Sequence, residues 1–121
     1  MERKKGCALL ALLAVAALAL AGCDALIPAR SEGERLYRQK CSECHGVDAA
    51  GNTVRYMGNP WADLRDNEWK SGGDPVSIER IIRAGVFGQM PGNPDLTREQ
   101  VRAIVDHVRE LRGEKRPEPA R

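Results

Sequence analysis

Aromatic side chains are scarce: Tyr37, Tyr56, Trp61, Trp69 and Phe87 are the five in 121 residues. So little large apolar mass does not offset the entropy lost when a domain of this size orders. A fold resting on its own hydrophobic core is therefore excluded, and a metal, disulfides or a large buried ligand must contribute. Charge of one sign is also missing. Residues 1–22 hold three of the 19 Lys/Arg and one of the 17 Asp/Glu, which leaves sixteen of each in the remainder. That balance argues against nucleic acid as a partner, because nucleic-acid binding normally demands a basic excess. Alternating strand patterns, internal repeats and low-complexity tracts are absent too. No apolar run reaches the ~20 residues of a membrane-spanning helix. The longest, Ala8 to Ala21, is 14 residues of Ala, Leu and Val behind a basic start at Arg3, Lys4 and Lys5.

A positive leader before a short apolar run fits a secretory signal, so residues 1–22 are excluded from the fold. The segment Leu20-Ala21-Gly22-Cys23 resembles the lipobox of bacterial lipoproteins. That resemblance implies cleavage before Cys23, acylation of its sulfur, and a protein that sits on a membrane without crossing it; an ordinary cleavage site with an incidental thiol is the alternative. Two or more acyl chains, at about 0.8 kcal/mol per buried methylene, give stable anchoring. Asp24 resembles an inner-membrane retention signal, which places the protein in the bacterial envelope at the periplasmic face of the inner membrane, with the outer membrane as the alternative. Residues 23–30 form the lipidated tether, and residues 24–30 span at most roughly 25 Å.

The domain proper is expected over residues 31–112, all-α, with three main helices and long loops. Ser31 and Glu34 form a Ser-x-x-Glu capping box that opens a helix to about Lys40. Residues 46–73 are rich in turn residues and without periodicity, a long loop that needs something to enclose. Asp74-Pro75 is an N-cap followed by a first-turn proline, starting a helix that ends at Gly85. Thr97 to Gln100 is a second capping box, and Val101, Ile104, Val105, Val108 and Leu111 recur at helical spacing up to Gly113. Residues 113–121 read as a charged, disordered tail.

Between the first helix and the long loop lies Cys41-Ser-Glu-Cys44-His45. Cys-x-x-Cys-His is the attachment pattern of a c-type haem. At the end of a helical turn both thiols can add to the vinyl edges of one porphyrin, and the adjacent imidazole is carried beneath the iron. A redox Cys-x-x-Cys normally accompanies a strand followed by a helix, which is not the context here. Zinc would need four tetrahedral ligands, and the adjacent Cys44 and His45 do not easily face one ion. A disulfide across two intervening residues would be a tight, strained loop. One covalent haem c would supply the centre that the composition lacks.

For the second axial position the candidates are Met90, Met57 and His107. Met90 lies in Gly88-Gln89-Met90-Pro91-Gly92, where the glycines let a loop wrap a flat ligand and Pro91 stiffens the backbone behind the sulfur. Met57 reads as a packing residue, and His107 as a structural histidine near the inner stripe of the last helix. With Gly33 and Tyr37 eight and four residues before Cys41, Met-Pro after a glycine-rich stretch and a final amphipathic helix, residues 31–112 resemble a class I cytochrome c. Leu64 to Gly92 is similar to the cytochrome domains of the dihaem subunit in cbb-type haem-copper oxidases.

That resemblance implies the small cytochrome c fold, a haem between His45 and Met90, a crossing of the first and last helices at Gly33 and Tyr37, and Trp69 near the haem and a propionate. The family's Gly-Pro-x-Leu segment, whose proline carbonyl accepts the proximal histidine's ring proton, is matched only approximately by GNPWADL. Pro60 is the candidate there, two residues farther from Leu64 than the pattern wants. Where the family has an aromatic on the last helix, this chain has His107.

Two strong axial ligands leave iron no open site, so one-electron transfer is expected and catalysis is not. The expected role is a membrane-tethered carrier between redox-protein donors and acceptors of a respiratory chain. A fixed cytochrome subunit of a larger oxidase or reductase is the alternative. A haem sensor or peroxidase with a dissociable Met90 ranks below both, because no distal histidine or arginine can be placed.

Overall fold

The computed structural model describes residues 27–66 and 68–115. The leader, Cys23 and the end of the C-terminal tail lie outside them. Among the described residues four α-helices follow in order: α1 (Glu32–Lys40), the short α2 (Ser42–His45), α3 (Pro75–Ala84) and α4 (Arg98–Leu111); a 3-10 turn (Pro60–Ala62) interrupts the long loop between α2 and α3. No strand occurs among the described residues, and none of their helices is long and apolar enough to cross a membrane.

The helix starts follow from the capping side chains. Thr97 and Gln100 make the full reciprocal box on α4, with Gln100 N donating to Thr97 Oγ1 at 3.2 Å and Thr97 N to Gln100 Oε1 at 2.9 Å. Asp74 Oδ1 accepts from Val76 N and Ser77 N ahead of Pro75 on α3. Only half of the expected box forms on α1. Ser31 Oγ accepts from Glu34 N at 3.1 Å, but the Glu34 carboxylate turns to Arg30 N at 2.8 Å and Arg38 Nη2 at 2.6 Å. Glu34 is buried, and its carboxylate is better served there by the Arg30 amide together with the guanidinium groups of Arg38 and, at 3.4 Å, Arg30 than by the Ser31 amide alone. Each such cap contributes about 1 kcal/mol.

Helices α1 and α4 cross at Gly33. A methyl placed there would meet the Ala103 carbonyl and lie 3.3 Å from His107 Cβ, so the two backbones approach as closely as only glycine permits. Below that crossing Tyr37, fully buried, meets the His107 ring edge-on with centroids 5.2 Å apart. The histidine thus occupies the expected aromatic place as a buried ring; burial holds its pKa below the usual value, and Glu34 and Glu110 oppose that shift. The core continues through Leu36, Ile78, Ile82, Val101, Ile104, Val105 and Val108, which joins α3 to the α1–α4 pair.

Candidate haem site

Cys41 closes α1 and opens α2. Its N–H donates to Tyr37 O at 2.8 Å, and its carbonyl accepts from His45 N at 3.0 Å, so Cys41, Cys44 and His45 share one helical turn. Tyr37 reaches past this turn and donates its hydroxyl to Gly46 O at 2.8 Å, which fixes the turn to the α1–α4 crossing. Both thiols are free and partly buried. Burial, and secondarily Cys44 beside it, pushes the Cys41 pKa up to about 11, so this sulfur is a neutral thiol at ordinary pH.

The chain then folds back on itself. His45 O accepts from Gly51 N, and Ala49 O from Leu64 N, both at 2.8 Å. Gly51, at φ +69°, lies against Ala62, where a side chain would strike the Ala62 carbonyl carbon and Asp63 N. This close passage places the 3-10 turn beside the imidazole: His45 Nδ1 donates to Ala62 O at 2.8 Å. A carbonyl only accepts, so the proton sits on Nδ1 and Nε2 keeps its lone pair. Burial lowers the His45 pKa, with the bond to Ala62 opposing it, so the ring is neutral and competent as a ligand.

The carbonyl acceptor had been expected at Pro60, and the structure places it at Ala62. Pro60 instead begins the turn, with Asn59 Oδ1 capping Trp61 N at 3.0 Å and Ala62 N donating to Asn59 O at 3.0 Å. Ala62 stands two residues before Leu64, the spacing that Gly-Pro-x-Leu prescribes. Neither Ala62 nor Gly51 carries a side-chain signal that sequence inspection could use; the distance to Leu64 was the available clue.

These groups open on an apolar slot of about 340 Å³ whose walls include Cys41, Cys44, His45, Met90 and Pro91. Ile78, Ile81 and Ile82 of α3 and Ile104 and Val108 of α4 also line it. Met90 is pinned through its own backbone: Val86 N donates to Met90 O at 2.8 Å and Met90 N to Val86 O at 2.9 Å. Gly85 (φ +71°) and Gly92 let this loop lie directly on the end of α3, and Asn93 secures it through two bonds to Ile82 O. Met57 is 74% exposed and off the slot, and His107 is buried in the helix crossing. Of the three candidates for a second ligand, Met90 alone lines the slot.

Trp69 also lines the slot, and its indole N–H donates to Asp66 O at 2.9 Å. Trp61 stands at the same opening, partly exposed, with Lys70 Nζ 4.1 Å above its ring.

A family model described as cytochrome c oxidase, cbb3-type, subunit III matches residues 28–108. The chain belongs to this family of class I c-type cytochromes. Among its curated relatives, a Cbb3-type cytochrome c oxidase subunit CcoP from Rhodobacter capsulatus is 34% identical over 89 residues, covering 67% of this chain and 29% of the relative. The subunit CcoP of Rubrivivax gelatinosus is 37% identical over 87 residues, 67% of this chain and 25% of the relative. The subunit FixP of Azorhizobium caulinodans is 32% identical over 87 residues, 71% and 28%. The chain thus spans less than a third of the length of these relatives. No solved structure matches it.

Membership in a c-type cytochrome family implies haem c, and the residues present fit that group. Two unlinked thiols lie on one helical turn at the slot wall, the adjacent imidazole keeps its Nε2 lone pair, and a thioether lines the same apolar space. The donor set, one nitrogen and one soft sulfur with two thiols for attachment, fits a c-type haem.

Proposed function

We propose that this domain is a one-electron carrier in a respiratory chain, holding one haem c through Cys41 and Cys44 with His45 and Met90 as axial ligands. The observation that carries the reading is the convergence of His45, its proton fixed on Nδ1 by Ala62 O, and Met90 on one apolar slot. When bound, haem c supplies a reversible one-electron change at its iron. The chain's residues do the rest. Ala62 holds the imidazole in the ligating tautomer and makes its Nε2 more basic. Met90 offers a soft sulfur that favours the ferrous state, and the isoleucines of α3 exclude the water that would stabilise the ferric charge. Held by both His45 and Met90, the group would supply electron transfer rather than a place for a substrate.

Cys23 is proposed to carry the lipid anchor, which keeps the domain within a short tether's reach of the membrane and raises its effective concentration towards partners there. A fixed place in an oxidase is the second reading, favoured by the relatives, whose names are those of cbb3-type oxidase subunits. Expression with a working haem-maturation apparatus, followed by a pyridine haemochrome spectrum and an intact mass, tests the core of the proposal. One haem per chain with both vinyls saturated is expected, and a colourless protein refutes it. Purification in detergent at moderate salt then separates the two readings, because a carrier leaves any oxidase behind and a fixed subunit does not.

A further inference from the structure

Arg112, at the C-terminal end of α4, is only 12% exposed at its side chain, although nothing in its helical position requires burial. Its guanidinium carbon lies 4.7 Å from the centroid of the Trp69 ring, and Nη1 donates to Gly73 O at 2.9 Å. Gly73 provides the room: a methyl there would lie 3.1 Å from Arg112 Nη1 and 3.4 Å from Trp69 Cγ. Glu114 Oε1 also meets Arg112 Nη1, at 3.2 Å.

Trp69 packs against the edge of the hydrophobic core, and few hydrogen bonds hold the segment that carries it. Its own bonds are local, Trp69 Nε1 to Asp66 O and Gly72 N to Trp69 O. Among the described residues, its hydrogen bonds to the helices are Arg80 Nη2 to Ser71 O at 3.4 Å, a long bond from an exposed side chain, and Arg112 Nη1 to Gly73 O. A planar cation stacked on one wall residue and bonded to the backbone four positions later fixes both the height and the tilt of that wall.

We propose that Arg112 is a positioning residue for the redox site: by clasping Trp69 and Gly73 to the end of α4, it holds Trp69 as a wall of the haem slot and keeps water from that edge. The inference rests on the proposed haem reading and goes beyond it in assigning a site function to a residue that does not line the slot. Losing the clasp frees the indole to swing outward, and water entering beside the iron stabilises the ferric charge.

The test uses the holoprotein carrying Trp61→Phe, so that Trp69 is the sole tryptophan. Haem close to the indole quenches its emission. Arg112→Met, which keeps bulk and loses both cation and donors, is expected to raise Trp69 emission severalfold and to lower the midpoint potential. Arg112→Lys, which keeps a cation and donors but loses the planar fork, should restore part of both. Arg109→Ala is the control, because Arg109 Nε bonds the same Glu114 at 2.7 Å without touching Trp69. It should leave emission and potential unchanged. The proposal is overturned if Arg112→Met changes neither reading, if the lysine variant matches the methionine variant, or if Arg109→Ala reproduces the effect. Should the protein carry no haem, the haemochrome spectrum refutes the functional reading separately. The near-ultraviolet circular dichroism of Trp69 still reports the clasp, and an unchanged signal in Arg112→Met sinks it.

Discussion

Placing a single methyl at Gly33 attacks the helix crossing on which the site stands. An alanine Cβ there would sit 2.7 Å from the Ala103 carbonyl carbon and 3.3 Å from His107 Cβ, and nearer still to the Ala103 oxygen. The nearest of these atoms are backbone, so no rotamer change relieves the overlap and α1 and α4 must move apart. Overpacking of this kind costs about 1–3 kcal/mol, and a rigid backbone contact belongs at the upper end. Alanine returns up to about 1 kcal/mol of helix propensity, less at the second position of a helix than in its middle. A net loss of about 2 kcal/mol is expected for Gly33→Ala, which for a domain of this size lowers Tm by about 10 °C. The assay is guanidinium unfolding of the ferric holoprotein, where the midpoint should fall while the slope stays constant. A variant within about 0.5 kcal/mol of the parent would refute the close approach of the two helices. The displacement should also be felt at the haem site, because Tyr37 lies directly below the crossing and its hydroxyl holds Gly46 behind His45.

Met90→Ala is expected to abolish the sulfur-to-iron absorption of the ferric protein and lower its potential, while Met57→Ala, at an exposed position off the slot, leaves both unchanged; the ferric visible spectrum decides. For His107 the folded pKa lies below the unfolded value of about 6.5, so the unfolded chain takes up the proton first. Its contribution to stability is complete above that value and is lost as pH falls through the folded pKa. The slope is at most about 1.4 kcal/mol per pH unit. His107→Phe should reduce the slope read by unfolding at a series of pH values between 7 and 5, while the acid loss from Glu34, whose own pKa is held low chiefly by its bond to Arg30 N–H, persists at lower pH. Replacing Cys23 with Ser should move the protein from the membrane fraction to the soluble fraction, checked by fractionation of cells.

Much of this was legible because it is written in side chains. Thr97 with Gln100, Asp74 with Pro75, and the spacing of Val101, Ile104, Val105 and Val108 each announce a helix by local chemistry, and α3 and α4 lie where those signals put them. The attachment motif and Met90 are likewise residue types with little competition, and the fold gathers them on one slot. What escaped depends on backbone or on distant partners. Glu34 had the right spacing for a reciprocal cap, but burial between Arg30 and Arg38 redirected its carboxylate. The acceptor for His45 is a main-chain oxygen, which any residue supplies, so attention to proline led to Pro60 rather than Ala62. The bond from the Trp69 indole to the nearby Asp66 carbonyl depends on how an aperiodic loop folds, and no residue type announces it.

The alanine at position 62 has a wider meaning for detecting domains of this kind. A pyrrolidine ring would hold that carbonyl by fixing its own torsion, but it would forfeit the amide hydrogen that here closes onto Asn59 O. This chain moves the rigid ring to the turn's first residue and lets a short cyclic bond immobilise the oxygen instead. Two unlike local solutions therefore deliver one proton anchor, and a search template that insists on the imino acid would overlook every protein that adopted the second.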